Sequence, residues 1–375
     1  MRKMGTGTRT ALLGVCAFAM VSVASPARAQ VVCDQMAKFP RPTPMGTSGG
    51  NINSIRVHHR ALECSSGTLG AMVQDPISLY VLSNNHVIGG MNKARFGDLI
   101  TQPGLVDSQC LQVNGNTVAF FNRSVKLQFA PKRLNTVDAS VAAVRVGFVD
   151  PNIKNIGAIA GTTVPATLGL MVQKMGRTTC LTEGHVTAVS VNATVGYDKF
   201  SGKIKPANFI NQIMISGGFG GPGDSGSLVV TTEACPQAVG LLFAGSADGS
   251  ILANPINAVL DGLHVTITAG CTAQTADALM TVAPSSDAAP VEGAQGEVVS
   301  QGEVTSATSV RDKHNVQLTS IPGAIGTGIG IGDEPGHAAI EVYVKALTPD
   351  VQAAAPTSLD GVPVRLVEKG EILAF

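Results

Sequence analysis

The sequence predicts an all-β protein of the sandwich or barrel class, followed by a small α/β unit. Three observations carry this expectation. Between Ile55 and about Thr266 the apolar segments are short, and Gly, Asn and Asp separate them. Their content of Val, Ile, Leu and Phe favours strands over helices. The 43 glycines and 20 prolines among 375 residues supply frequent turn signals, and many short strands between turns make a sandwich or barrel. The expected strands include Gly67–Val73, Ser78–Leu82, Thr117–Phe121, Ala139–Val146, Thr187–Val191, Gln212–Ile215, Ser227–Val230 and Ala238–Phe243. A short helix is expected at Pro255–Leu260, ahead of a strand at Val265–Ile267.

Hydrophobic residues make up 44% of the chain and charged residues 14%, enough apolar side chain for a real core and too little charge for global disorder. Lys+Arg and Asp+Glu both number 26, so a basic nucleic-acid surface has no compositional support. Arg2, Lys3 and Arg9 precede an apolar run from Ala11 to about Ala24, and Ala27-Arg28-Ala29 follows. This is the pattern of a secretory signal peptide over residues 1–29, cut before Gln30. The run is short for a membrane span, so no stable span is expected in the mature chain. That chain carries 22 basic and 26 acidic residues and is expected to be secreted or periplasmic.

Cys16 leaves with the signal. Cys33, Cys64, Cys110, Cys180, Cys235 and Cys271 remain, an even number in an exported chain, and allow up to three disulfides in any of 15 pairings. They bracket the strand-rich region. Residues 30–54, rich in Pro, Gly, Ser and Asn, read as an exposed lead-in. Residues 55–272 read as the main domain. Ala, Ser, Gly, Glu and Val dominate residues 282–304, and residues 273–309 read as a flexible linker. Residues 310–375 read as the α/β unit. It has a helix at Lys313–Ser320, a Gly-rich strand or hairpin at Ala324–Ile331, a strand at Ala339–Val344, a helix at Asp350–Ala354, and strands at Val362–Val367 and Glu371–Phe375. A unit this small is near the lower limit for an independent core and is expected to dock on the first domain.

The segment Gly221-Pro222-Gly223-Asp224-Ser225-Gly226-Ser227, ahead of Leu228-Val229-Val230, carries the strongest chemical signal. Glycines allow a tight turn with an exposed hydroxyl and converging N–H groups, which is how an oxyanion is held. A serine hydroxyl needs an imidazole to become a nucleophile, and the imidazole needs a carboxylate to orient it. His86, in Leu82-Ser83-Asn84-Asn85-His86, lies at the end of an apolar strand. Asp138, in Val137-Asp138-Ala139-Ser140-Val141-Ala142, enters a buried one, where an unpaired charge is costly. Asp107 and Asp150 are the substitutes for the acid. Asp224 reads as structural, paired with buried backbone or a chain-terminal group.

These residues and their order resemble the chymotrypsin-like, or trypsin-like, serine proteases of bacterial secreted type. Gly223-Asp224-Ser225-Gly226-Ser227, Asn84-Asn85-His86, Val137-Asp138-Ala139-Ser140 and Gly240-Leu241-Leu242-Phe243-Ala244-Gly245-Ser246 carry the likeness, with separations of 52 and 87 residues between His86, Asp138 and Ser225. The resemblance covers roughly residues 60–268. It implies a double six-stranded β-barrel with catalysis at the junction. His86, Asp138 and Ser225 would be the triad, and the N–H groups of Gly223 and Ser225 the oxyanion hole. Phe219, Phe243, Ala244 and Gly245 would meet the substrate. It implies an exported endopeptidase acting on protein or peptide substrates without a cofactor. Ser216–Gly221 contains no acid, which favours an uncharged side chain at the cleaved residue (P1). Cys180 stands where Gly is more familiar, which implies a disulfide with a cysteine such as Cys235.

The other conspicuous residues read more plainly. His58 and His59 are adjacent on a strand and face opposite ways, so they are not expected to share a metal, and no metal site is expected elsewhere. His185 reads as a strand-turn residue. Gly326-Thr327-Gly328-Ile329-Gly330-Ile331-Gly332 lacks the Lys-Ser/Thr of a phosphate loop. The last unit is open to a surface partner. A catalytically silent scaffold on the same fold is the alternative to a peptidase, and an acyl hydrolase acting on small esters is a third reading.

Overall fold

Strand-forming segments punctuated by turns pair into two large sheets. The computed structural model describes residues 33–58, 61–197, 204–272 and 299–375. The expected signal peptide, His59 and residues 273–298 of the expected linker lie outside them. Cys33–Phe375 forms one compact unit.

The first sheet is curled and open. Its eight strands run, in spatial order, Thr266–Ile267, Ala71–Gln74, Leu79–Ser83, Ser140–Val144, Thr117–Ser124, Leu99–Thr101, Thr47–Asn51 and Gly67–Leu69, and neighbours are antiparallel. The sheet buries Leu69, Val81, Leu82, Ile100 and Val141 completely, Val81 and Leu82 on opposite faces. Each such side chain contributes about 1.5–3 kcal/mol relative to exposure. Two expectations change here. The two six-stranded barrels are not reproduced in this half, because its strands pair as an open path of eight. The lead-in is exposed only in part: residues 36–38 and 40–42 are exposed, but Thr47–Asn51 is a fully buried strand within it. Its small side chains permit this: a Cβ on Gly49 would lie 2.4 Å from Leu69.

The second sheet contains a closed circuit of six strands: Met171–Gly176, Cys180–Tyr197, Lys205–Ile215, Ile251–Pro255, Ala238–Gly245 and Leu228–Thr231. The sheet does not stop there. At Ala188 and Ala193 the long strand pairs on one side with Met214 and Phe209, and on the other with Gly330 and Gly326 of the strand Ala324–Ile331. Ala338–Val344 and then Val362–Glu368 continue the sheet. The C-terminal unit is therefore a sheet extension, and its core is continuous with the barrel's. Val304, Ala307, Leu318, Ile340 and Val342 belong to one apolar cluster with Val186, Ile213, Val239 and Leu242.

The Gly-rich segment forms the interior strand Ala324–Ile331. Its glycines alternate because one face has no room: added Cβ atoms at Gly326, Gly328 and Gly330 would come within 2.4 Å of Asn192 O, Tyr343 Oη and Glu341 Oε1 respectively. The expected linker is shorter than its composition implied. A helix spans Gln301–Lys313, and a second spans Asn315–Thr319, in place of one helix at 313–320. Ser300 caps the first helix by accepting the Glu303 N–H at 3.1 Å, and Val304, Ala307 and Arg311 form its buried face. The buried Arg311 donates to the carbonyl of Ser190 at a bend in the long barrel strand.

The disulfides are Cys33–Cys180, Cys64–Cys110 and Cys235–Cys271. The Cys180–Cys235 pairing is thus overturned. Cys180 opens its strand beside the lead segment, and Cys235 lies in the loop that meets Cys271 near Ala160. No helix among the described residues is long and apolar enough to cross a membrane.

Gly326→Val should destabilise the whole unit, because its side chain would meet backbone on the neighbouring strand. A loss of about 2–4 kcal/mol is expected, read as one shifted transition in chemical denaturation. Separate melting of the last unit would contradict the shared core.

Candidate active site

The strand Leu79–Ser83 ends in a single helical turn, Asn85–Ile88, that presents His86. The register Ser140↔Ser83 brings the residues before Ser140 alongside this turn. Asp138, with no exposed surface, accepts the His86 N–H at 3.1 Å on Oδ1, and its Oδ2 lies 2.6 Å from His86 Nδ1. The same Oδ2 accepts the Tyr197 hydroxyl at 2.8 Å. The carboxylate holds the ring through Nδ1 and so turns Nε2 toward the cleft. Burial, and then the charge of Asp138, push the Tyr197 hydroxyl well above its ordinary value, so it stays a donor.

Asn254, on the second sheet, clamps the aspartate backbone. Its Oδ1 accepts the Asp138 N–H at 3.0 Å, and Asn84 Nδ2 donates to the Asp138 carbonyl at 2.7 Å. Asp107 and Asp150 are occupied elsewhere. Asp107 takes both Nε and Nη2 of Arg177 at 2.7 and 2.6 Å, and Asp150 accepts the Asn152 N–H at 2.9 Å.

Both sheets hold the Ser225 turn. From the first, Thr68 N–H donates to the Ser225 carbonyl at 2.8 Å, and Thr68 Oγ1 donates to the Gly223 carbonyl at 3.0 Å. From the second, the buried Asp224 accepts the N–H groups of Thr178 and Gly221 at 2.8 and 2.9 Å and the Thr179 hydroxyl at 2.7 Å. Its cationic partner is Lys174, 3.6 Å away, not a chain-terminal group. Gly226 has φ +96°, and a Cβ there would lie 2.2 Å from the Thr68 carbonyl, so only glycine fits. Gly223 has φ +102°. Among the described residues, the N–H groups of Gly223 and Ser225 have no hydrogen-bond partner, which leaves two donors at the turn.

The Ser225 hydroxyl does not bond to His86. It donates to the carbonyl of Phe243 at 3.1 Å. His86 Nε2 instead lies 2.8 Å from the main-chain oxygen of Phe375. The C-terminal strand Leu373–Ala374 pairs antiparallel with Ala238–Gly245, matching Ala374 with Ala244 and Leu373 with Gly245. The edge expected to meet substrate is therefore covered by the chain itself. Phe243 contributes its carbonyl, while its ring is buried against Phe209 at 4.8 Å between centroids. Phe219 is fully buried beside Gly184, in the apolar cluster on which Phe375 packs. His185 is an exposed strand residue. Beyond Phe375 a groove of about 500 Å³ passes over His86, Ser66, Arg177, Pro222 and Gly223.

Sequence reasoning missed Tyr197, Asn254, Lys174 and Phe375. Asn254 carried a signal, as a polar side chain in the apolar strand Ile251–Pro255 that needed a partner. Among the described residues no three His, Cys, Asp or Glu side chains gather as a metal site.

No protein-family model matches the chain, and no curated protein matches it. Solved structures do resemble it. A glutamic-acid-specific serine protease is 19% identical over 60% of this chain and 100% of its own, with a TM-score of 0.40. Thermobifida fusca protease A is 16% identical over 59% and 98%, with a TM-score of 0.38. A Cellulomonas bogoriensis chymotrypsin is 18% identical over 59% and 98%, with a TM-score of 0.37.

Tyr197→Phe removes one donor from a buried carboxylate. It should lower the unfolding free energy by about 1.5–3 kcal/mol in denaturant titration. Desolvation lowers the Lys174 ammonium to about 8, against the opposing pull of Asp224. Between that value and the ordinary lysine range, the unfolded chain binds the extra proton, so folding gains stability as pH rises. Compared with Lys174→Met, the wild type should therefore gain melting temperature from pH 8 to pH 10. A pH-independent difference between the two melting curves would contradict this assignment.

Proposed function

We propose that the chain is a trypsin-like serine endopeptidase with His86, Asp138 and Ser225 as its triad. The observation that carries this reading is the His86–Asp138 pair, with its carboxylate buried and Nε2 left facing a cleft beside the serine turn. In the proposed reaction the Ser225 hydroxyl turns from the Phe243 carbonyl to His86 Nε2. The oxygen then bonds to the substrate carbonyl carbon as its proton passes to the imidazole. Asp138 fixes the Nδ1–H tautomer and balances the imidazolium charge. The partnerless N–H groups of Gly223 and Ser225 are the proposed donors to the developing oxyanion. His86 returns the proton to the leaving amine, and water hydrolyses the acyl-enzyme.

Mostly β architecture, three disulfides and the end Ala244–Gly245 of the strand Ala238–Gly245, which runs past its Leu228–Thr231 neighbour, support the same class. An uncharged P1 side chain is proposed because Gly245 opens the wall beside the apolar cluster of the second barrel. Protein or peptide substrate, and a secreted or periplasmic location after signal removal, belong to this proposal. Two observations favour the silent-scaffold reading: a segment of the chain fills the edge, and the serine hydroxyl is turned away from His86.

The two readings separate on labelling with a fluorophosphonate and on a peptide panel, applied to the wild type and to Phe375→Asp. The peptidase reading expects a label that Ser225→Ala abolishes. It also expects kcat/KM to fall at least about 10³-fold in Ser225→Ala and about 10⁴-fold in Asp138→Asn. Absence of any Ser225-dependent label or turnover in both forms would establish the scaffold instead.

A further inference from the structure

We propose that the segment Ile372–Phe375 is an intramolecular ligand of the cleft. It holds the acyl-side half of the substrate site with Phe375 in the P1 position, and so identifies the preferred substrate as an apolar strand bearing an aromatic P1 side chain. This rests on the peptidase reading for the word substrate, but the binding claim stands without it.

Four contacts place the segment as a substrate strand and not as ordinary packing. Its backbone pairs antiparallel with Ala244 and Gly245, the edge beside the serine turn. The Phe375 N–H points to the Phe243 carbonyl at 3.4 Å, the same oxygen that accepts the Ser225 hydroxyl. The Phe375 main-chain oxygen reaches His86 Nε2 at 2.8 Å, where the reacting group of a P1 residue would sit. Its ring lies against Gly245: a Cβ on that glycine would come to 2.0 Å from Phe375 Cζ. Gly245 thus sets the width of the P1 pocket, and any larger residue would exclude the aromatic side chain.

The positions before Phe375 are also matched. Ile372 is buried, and its carbonyl accepts the Gly196 N–H at 2.9 Å. Leu373 covers Gly196, where a Cβ would lie 2.8 Å from Leu373 Cδ2. The segment is delivered by a fixed anchor. Lys369 pairs with Asp248 at 2.8 Å and with Ser250 Oγ at 2.7 Å, and its carbonyl accepts the Ala247 N–H at 2.9 Å. A tether of so few residues from a sheet strand gives a high effective concentration, so a free peptide competes poorly. On the other side of Phe375 the groove over Arg177, Pro222 and Gly223 is open. Among the described residues the acyl half is filled and the leaving-group half is not.

The test is binding first and turnover second. The probe is fluorescein-labelled Glu-Ile-Leu-Ala-Phe, read by anisotropy against Ser225→Ala chains. Phe375→Asp and, independently, Leu373→Asp displace the segment from the site, and circular dichroism checks that each variant folds. At least 10-fold tighter probe binding is expected when either substitution is added, and at least 10-fold weaker binding when the probe ends in Asp. Equal binding to intact and displaced forms, or equal binding of both probes, would overturn the proposal. In chains that keep Ser225, Phe375→Asp should raise the labelling rate at least 10-fold and favour peptides with Phe at P1. Unchanged labelling overturns occlusion while leaving the peptidase reading intact. Tight probe binding with no label in any form sustains the ligand assignment and removes the peptidase reading.

Discussion

The site depends on a carboxylate taken out of water. Asp138 has no exposed surface, and a charge so placed is costly unless every lone pair finds a donor. Here the donors are the His86 backbone, the His86 ring and the Tyr197 hydroxyl. They come from two sheets, since Tyr197 ends the long barrel strand while His86 and Asp138 belong to the first sheet. Satisfying one carboxylate therefore fixes the junction between the two halves. Asn254 reinforces it by holding the backbone of the same residue.

The local chemistry was legible because each piece has a short motif. His86 and Asp138 meet as the sequence reading expected, and the glycines around Ser225 sit where positive φ or close backbone approach demands them. Strand content was legible from β-branched residues between turns. The expected closure of both halves was not, because strand pairing is decided by residues far apart in the chain. Thr47–Asn51 looked like a solvated lead-in, since composition cannot tell small buried side chains from small exposed ones. The helix Gln301–Lys313 was hidden for the same reason, although Ser300 and Glu303 form a capping pair that marked its start. Phe375 gave no signal at all: nothing in its local sequence marks it as the occupant of a cleft.

The alternating glycines of Ala324–Ile331 show how a misleading motif arises. Their spacing invites a ligand-loop interpretation, whereas the cause is steric, with Tyr343 and Glu341 lying across one face of the strand. The same strand joins the C-terminal unit to the barrel. A module that seemed too small for its own core has none of its own, because it shares the barrel's.

The pairing of Leu373 with Gly196 also bears on how the chain reaches this state. Contacts between residues so distant in sequence require large loops to close before any stabilisation is gained. The barrel's long strand has its partners Met171–Gly176 and Lys205–Ile215 nearby, but beyond His185 its other edge pairs with residues past 320. Until they arrive, that edge presents unpaired amide and carbonyl groups to solvent. Any state that orders the barrel before those residues exposes an edge of the kind that self-associates.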